Sequence, residues 1–251
     1  MSTRPKSMRL DRLLANMGYG SRREIALMVK AGWVVLDGIT LEEGAVKLAL
    51  SDDLPKRLLL RGNAIDPLPG MVLMVHKPLG YTCSHKEAGK LIYDLLPERW
   101  RAREPVVSTI GRLDKDTSGL ILMTDDGELL HKIISPKHHI PKRYVVGLDR
   151  SLSGQEAPLF ASGTMMLEGE DKPLLPAHLV VTSERTAVLT LFEGRYHQVR
   201  RMFAAIGNHV VSLHRDQIGD LMLPTTLAVG SFVVLTPQET AQIFSEGPNQ
   251  G

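Results

Sequence analysis

The chain has 251 residues, 43% hydrophobic and 23% charged, enough apolar material for one large domain or two ordinary ones, and no apolar run nears the about 18 residues of a membrane-spanning helix. Its single cysteine, Cys83, excludes an intramolecular disulfide and a Cys-based zinc cluster. The net charge of +2 is unevenly placed: residues 1–30 hold seven Lys/Arg against two acids, a balance of +5, which leaves the remainder at −3.

Residues 1–7 read as a polar, frayed leader. From Met8 the spacing of Leu10, Leu13, Leu14 and Met17 predicts a helix, stopped by Gly18 and Gly20. Ser21 caps a second helix, with Glu24 at the capping-box position and Ile25, Ala26, Met28 and Val29 as its apolar side, and Gly32 ends it. Residues 33–36 predict a strand, and Asp37-Gly38 a hairpin turn. The segment 55–69, with Pro67, Pro69 and Gly70 close together, reads as a linker between domains at 8–66 and 67–251. Beyond it, strands are predicted at 71–75, 120–124, 143–148, 187–192, 210–213 and 231–235, and helices at 91–96, 128–134 and 196–206. Strands and helices alternate irregularly, which predicts an α+β fold rather than a doubly wound parallel sheet.

The most informative stretch is Gly111-Arg112-Leu113-Asp114-Lys115-Asp116-Thr117-Ser118-Gly119, a polar turn between glycines that feeds the apolar run 120–123. A Gly-bounded loop entering a buried strand is a rigid mount for a side chain in a cleft, and Asp114 is the candidate. The residues alone fit an ordinary surface turn equally well. Three other segments accompany it. They are His76-Lys77-Pro78-Leu79-Gly80-Tyr81-Thr82-Cys83-Ser84, Ser135-Pro136-Lys137-His138-His139 with Lys142-Arg143-Tyr144, and Glu193-Gly194-Arg195-Tyr196-His197-Gln198-Val199-Arg200-Arg201-Met202-Phe203. In this order and spacing the four resemble the motifs of pseudouridine synthases, specifically the RsuA-like branch of ribosomal RNA enzymes with an N-terminal S4 domain. The resemblance runs from about Met8 to about Pro237.

The resemblance implies a pseudouridine synthase fold, a long mixed sheet with a central catalytic cleft, preceded by a small S4-like RNA-binding domain. It makes Asp114 the catalytic carboxylate. An ionised carboxylate in a cleft needs a cation beside it, since a nearby Arg lowers its pKa by about 1–3 units; Arg200 matches the basic position that pairs with it. Tyr144 becomes the active-site tyrosine, which stacks on the target uracil and removes the C5 proton, and Leu213 an apolar residue packed against it. Arg112 helps hold the extruded nucleotide. Arg195, Arg201 and Arg215 flank the cleft motif, where a planar guanidinium suits phosphate and a solvated surface is as good a reading. In the S4-like part, Arg9, Arg22, Arg23 and Lys30 present charge to RNA backbone, in keeping with the +5 balance of residues 1–30.

Metal binding is not expected: His138-His139 are adjacent, so their side chains diverge, and Gln198 follows His197 where a zinc protease motif has Glu. No phosphate loop or dinucleotide fingerprint occurs, so no cofactor is expected either, and Cys83 reads as a small structural residue. His138-His139 and the segments 194–199 and 202–210 resemble the small-subunit enzymes of the branch more than the large-subunit ones. That implies action on 16S rRNA; the lone cysteine and an N-terminus without a signal-peptide pattern make the cytoplasm the expected compartment, and a monomer is expected. A 23S rRNA or tRNA uridine, or an inert S4-bearing ribosome assembly factor, is the alternative.

Overall fold

The computed structural model describes residues 7–85 and 87–245; most of the expected leader lies outside them. The chain divides into two compact units. The first takes the chain up to Leu73 together with 96–109 and 123–131, and the second takes 74–95, 110–122 and the chain from Lys132 onward. This division is not the single cut expected between 66 and 67.

In the first unit, strand Ser7–Arg9 pairs antiparallel with Lys47–Ala49, so the first helix, Leu10–Asn16, starts two residues later than its apolar spacing suggests. Leu10, Leu13, Leu14 and Met17 are fully buried with Ile25, Val34 and Leu58, each such side chain contributing about 1.5–3 kcal/mol. The second helix, Arg22–Lys30, carries the predicted capping box: Ser21 Oγ accepts from the Glu24 N–H at 3.3 Å, and the Glu24 carboxylate accepts from the Ser21 N–H at 2.7 Å. Strands Val34–Leu36 and Ile39–Thr40 form the expected hairpin, with Asp37 and Gly38 at φ 52° and 81°, the left-handed pair of a type I′ turn.

The segment 55–69 is not a linker. A short helix, Leu54–Arg57, and strands Leu58–Leu60 and Asn63–Ala64 complete a four-stranded antiparallel sheet, and Leu58, Ile65 and Leu68 enter the core. The turn joining the two strands places Arg61 and Gly62 at φ 52° and 76°, the same geometry as Asp37-Gly38. Arg is not among the residues that announce such a turn, so the hairpin is invisible in the sequence. The added segments bring a buried ion pair into this unit: Arg103 Nη2 lies 3.1 Å from Asp125 Oδ2, with side chains 0% and 1% exposed. Asp125 also accepts from the Gly70 N–H at 2.7 Å, and Arg103 donates to the Pro67 carbonyl at 2.9 Å.

The second unit carries the centre of a nine-stranded sheet. Its order is His178–Ser183, Thr186–Leu191, Lys142–Leu148, Val210–Ile218, Ser118–Thr124, Val72–Lys77, Phe232–Val234, with Leu221–Met222 and Ser108–Ile110 paired off that path. Lys142–Leu148 is antiparallel to both neighbours, whereas Val210–Ile218 runs parallel to Ser118–Thr124, so the sheet is mixed and the fold is α+β. The predicted strand at 210–213 extends to Ile218, which places Arg215 within it. The predicted helix at 196–206 is Gln198–Ala205, because His197 adopts a left-handed backbone, φ 49° and ψ 31°. Strand His178–Ser183 is not announced by alternation: only Leu179 along it is buried. Among the described residues no helix is long and apolar enough to cross a membrane.

Candidate active site

Asp114 sits in the turn that enters strand Ser118–Thr124, and the Thr117 N–H donates to its carbonyl at 3.0 Å. Lys77, fully buried at the end of strand Val72–Lys77, gathers this turn. Its Nζ donates to the carbonyls of Asp114 at 3.0 Å, Thr117 at 2.7 Å and Pro78 at 3.2 Å. Burial pushes the Lys77 ammonium below the usual lysine range, while the nearby carboxylates of Asp114 and Asp116 pull it back up. One ammonium shared by several carbonyls fixes the backbone of the turn without using the Asp114 carboxylate. Gly119, at φ 107°, follows at once, and a Cβ there would fall onto the backbone of Arg215. Only glycine lets this strand lie so close to Val210–Ile218.

The expected Arg200–Asp114 pair is not the arrangement observed. Arg200, third residue of helix Gln198–Ala205, donates from Nη2 to the Asp116 carbonyl at 2.9 Å and from Nη1 to the Val210 carbonyl at 3.0 Å. It braces the Asp114 turn through backbone. The group facing the carboxylate is His197, with Nε2 3.3 Å from Asp114 Oδ1 and side chains 39% and 32% exposed. The left-handed residue before the helix turns this imidazole toward the turn, a geometry that helical spacing does not announce. Lys77 and His197 are not among the site residues expected from sequence; the available signal for each is its place inside a quoted motif, His76–Ser84 for Lys77 and Glu193–Phe203 for His197.

Tyr144 is buried in strand Lys142–Leu148 and pairs in register with Arg215, while Val146 pairs with Leu213. Leu213 is therefore a diagonal neighbour of Tyr144 and is itself buried. Arg215 is no surface residue: it is 4% exposed, donates from Nε to the Leu120 carbonyl at 2.8 Å, and directs Nη1 at the Tyr144 hydroxyl, 3.4 Å away. Its Nη2 is buried and has no hydrogen-bond partner among the described residues. Burial, with the Arg215 charge nearby, pushes Lys142 down to about 8. Between pH 8 and the ordinary lysine range the unfolded chain then binds the proton and the folded one does not, so stability rises with pH there. Urea titrations should show that rise, and Lys142→Met should remove it.

The remaining arginines are mostly committed within the protein. Arg195 pairs with Glu193 at 3.0 Å and Glu170 at 3.1 Å and also donates to the carbonyls of Lys172 and Pro173. Arg201 binds Glu170 at 2.7 Å and donates to the carbonyls of Glu168 and Tyr196. Neither stands free for phosphate, contrary to one of the two readings open in the sequence. Arg112 is 67% exposed and lies 3.2 Å from Glu87. In the first unit, Arg9 and Arg22 converge on Asp11 at 2.9 and 2.8 Å, and these bonds, Arg9 foremost, hold its carboxyl down at about 2. Arg23 and Lys30 are exposed and form no ion pair among the described residues.

Comparison with known proteins decides what this assembly belongs to. A family model described as RNA pseudouridylate synthase matches residues 71–205, and the chain is 40% identical over 242 residues to the ribosomal small subunit pseudouridine synthase A of Yersinia pestis, covering 94% of this chain and 98% of that one. The chain belongs to the RNA pseudouridylate synthase family. The Vibrio cholerae protein of the same name is 38% identical, with 94% of this chain and 100% of that one covered. A crystal structure of a pseudouridylate synthase superposes with a TM-score of 0.66 at 35% identity, over 94% of this chain and 99% of the other. Members of the RNA pseudouridylate synthase family are isomerases acting on RNA, so this chain is an enzyme. The matched region holds Lys77, Asp114, Tyr144 and Arg200, whereas Leu213 and Arg215 lie beyond its end.

Proposed function

We propose that this pseudouridylate synthase acts as a cytoplasmic monomer and converts one uridine of 16S ribosomal RNA into pseudouridine, with Asp114 as its catalytic carboxylate. The observation that carries the reading is the Asp114 turn, held from beneath by Lys77 and leading into a strand beside the one that bears Arg215 next to Tyr144. The small-subunit assignment rests on the names of relatives similar along nearly their whole length. The target nucleotide must leave its stack, because its C1′–N1 bond and C5 are unreachable within one. Asp114 then acts on the ribose side, the glycosidic bond breaks, uracil turns, and C5 bonds to C1′. Tyr144, its hydroxyl fixed by Arg215, stacks on the base and takes the C5 proton, while N1 acquires one. Arg112, exposed at the rim of the turn, helps hold the extruded nucleotide.

C5-tritiated 16S, 23S and tRNA transcripts test this reading. Tritium should leave the 16S transcript alone; release from another RNA would transfer the assignment to it. Tyr144→Phe keeps the ring and removes the hydroxyl, so release should fall by about a hundredfold or more while RNA affinity is preserved. Tritium release at the wild-type rate would leave Tyr144 only as a stacking surface.

The first unit serves, in the same proposal, as the S4-like RNA-binding domain, with Arg23 and Lys30 exposed and in no ion pair among the described residues and Arg9 and Arg22 clustered on Asp11. Arg23→Gln with Lys30→Gln should flatten the log–log salt dependence of RNA binding by about 0.7–0.9 for each phosphate that is no longer neutralised. An unchanged slope would make these residues ordinary solvated surface. Deleting residues 1–66 is not an equivalent test, because residues 96–109 and 123–131 fold with them.

A further inference from the structure

Tyr196 is 75% exposed, a large aromatic side chain that contributes little to the core. Its ring nonetheless has a partner, stacked on His197 with centroids 3.9 Å apart and an interplanar angle of 14°. His197 in turn faces the Asp114 carboxylate. A continuous line thus runs from the catalytic carboxylate through an imidazole to a phenol in solvent.

The backbone carrying these rings is braced from both sides. Arg195, one residue before, is fixed by Glu193, Glu170 and two carbonyls. Gln198, one residue after the pair, accepts from the Arg195 N–H at 2.9 Å and donates to Glu193 at 2.9 Å. Arg201 donates to the Tyr196 carbonyl at 3.2 Å while bound to Glu170. The two arginines whose place in the sequence suggests phosphate binding therefore hold a loop whose outward product is an aromatic face. A ring presented on a fixed backbone loses little freedom when a planar partner covers it.

We propose that Tyr196, backed by His197, is a stacking platform for the nucleobase adjoining the uridine extruded toward Asp114. This rests on the reading of the site as an RNA pseudouridine synthase centre. Extrusion removes a base from the stack and leaves each neighbour with one bare face, and an aromatic side chain is the group that replaces such a partner irrespective of base identity. The platform lies beside the carboxylate that the extruded nucleotide must approach, where a neighbouring base must pass.

The test uses the full chain with Asp114→Asn, so that no probe is turned over. Two seven-nucleotide single-stranded RNAs carry a central uridine, one with 2-aminopurine on its 5′ side and one with it on the 3′ side. Stacking quenches 2-aminopurine, so the fluorescence of one probe should fall by about twofold or more on saturation. Adding Tyr196→Leu should restore the signal and weaken binding about tenfold, equal to about 1.4 kcal/mol, whereas Tyr196→Phe should behave as the parent. No quenching of either probe, or quenching untouched by Tyr196→Leu, overturns the platform. Tritium release from the 16S transcript by the wild-type chain is read in parallel: its absence with Tyr196-dependent quenching rejects the ribosomal RNA reading alone, and the converse rejects the platform alone.

Discussion

Asp114→Asn is expected to lower pseudouridine formation by more than about a thousandfold, roughly 4 kcal/mol of barrier, while leaving the fold and RNA affinity intact. The amide is nearly isosteric with the carboxylate but carries no charge, so it can neither attack the ribose nor accept its proton. The surroundings tolerate the change. Lys77 holds residue 114 through its backbone carbonyl, and Arg200 holds Asp116 through its own, so neither brace is removed. His197 Nε2, 3.3 Å from Asp114 Oδ1, has room for the isosteric amide. Single-turnover tritium release measures the effect. A rate within about tenfold of wild type, roughly 1.4 kcal/mol, would remove Asp114 from the chemistry.

The largest effect on stability should come from the first unit. Asp125→Ala is expected to cost about 3–5 kcal/mol, because it strands a guanidinium with no access to water. Arg103 is 0% exposed, and its Nη1 already lacks a hydrogen-bond partner among the described residues. The substitution also removes the acceptor of the Gly70 N–H. Arg103→Met combined with Asp125→Leu should cost far less than Asp125→Ala, since removing both charges strands neither. Urea denaturation of the three proteins checks this. Equal losses in the single and double variants would mean that packing, not the stranded charge, sets the cost.

The elements legible directly in the amino-acid order are those whose forces act over a few residues. The Ser21–Glu24 capping box closes within one helical turn, the Asp37-Gly38 hairpin needs only two left-handed residues, and the spacing of Leu10, Leu13, Leu14 and Met17 marks one helix face. The four ordered motifs likewise point to the family and single out Asp114 and Tyr144 without any knowledge of the packing. The partners of the charged side chains are not local. Lys77 meets the Asp114 carbonyl across 37 residues of chain, Arg215 meets the Tyr144 hydroxyl across 71, and Arg200 reaches the Asp116 carbonyl across 84. An arginine looks the same in sequence whether it faces phosphate, a carbonyl or a carboxylate. Which of these it meets follows from strand register and from the left-handed backbone at His197, so the amino-acid order pointed to the family, and tertiary packing chose the partners of its charged side chains.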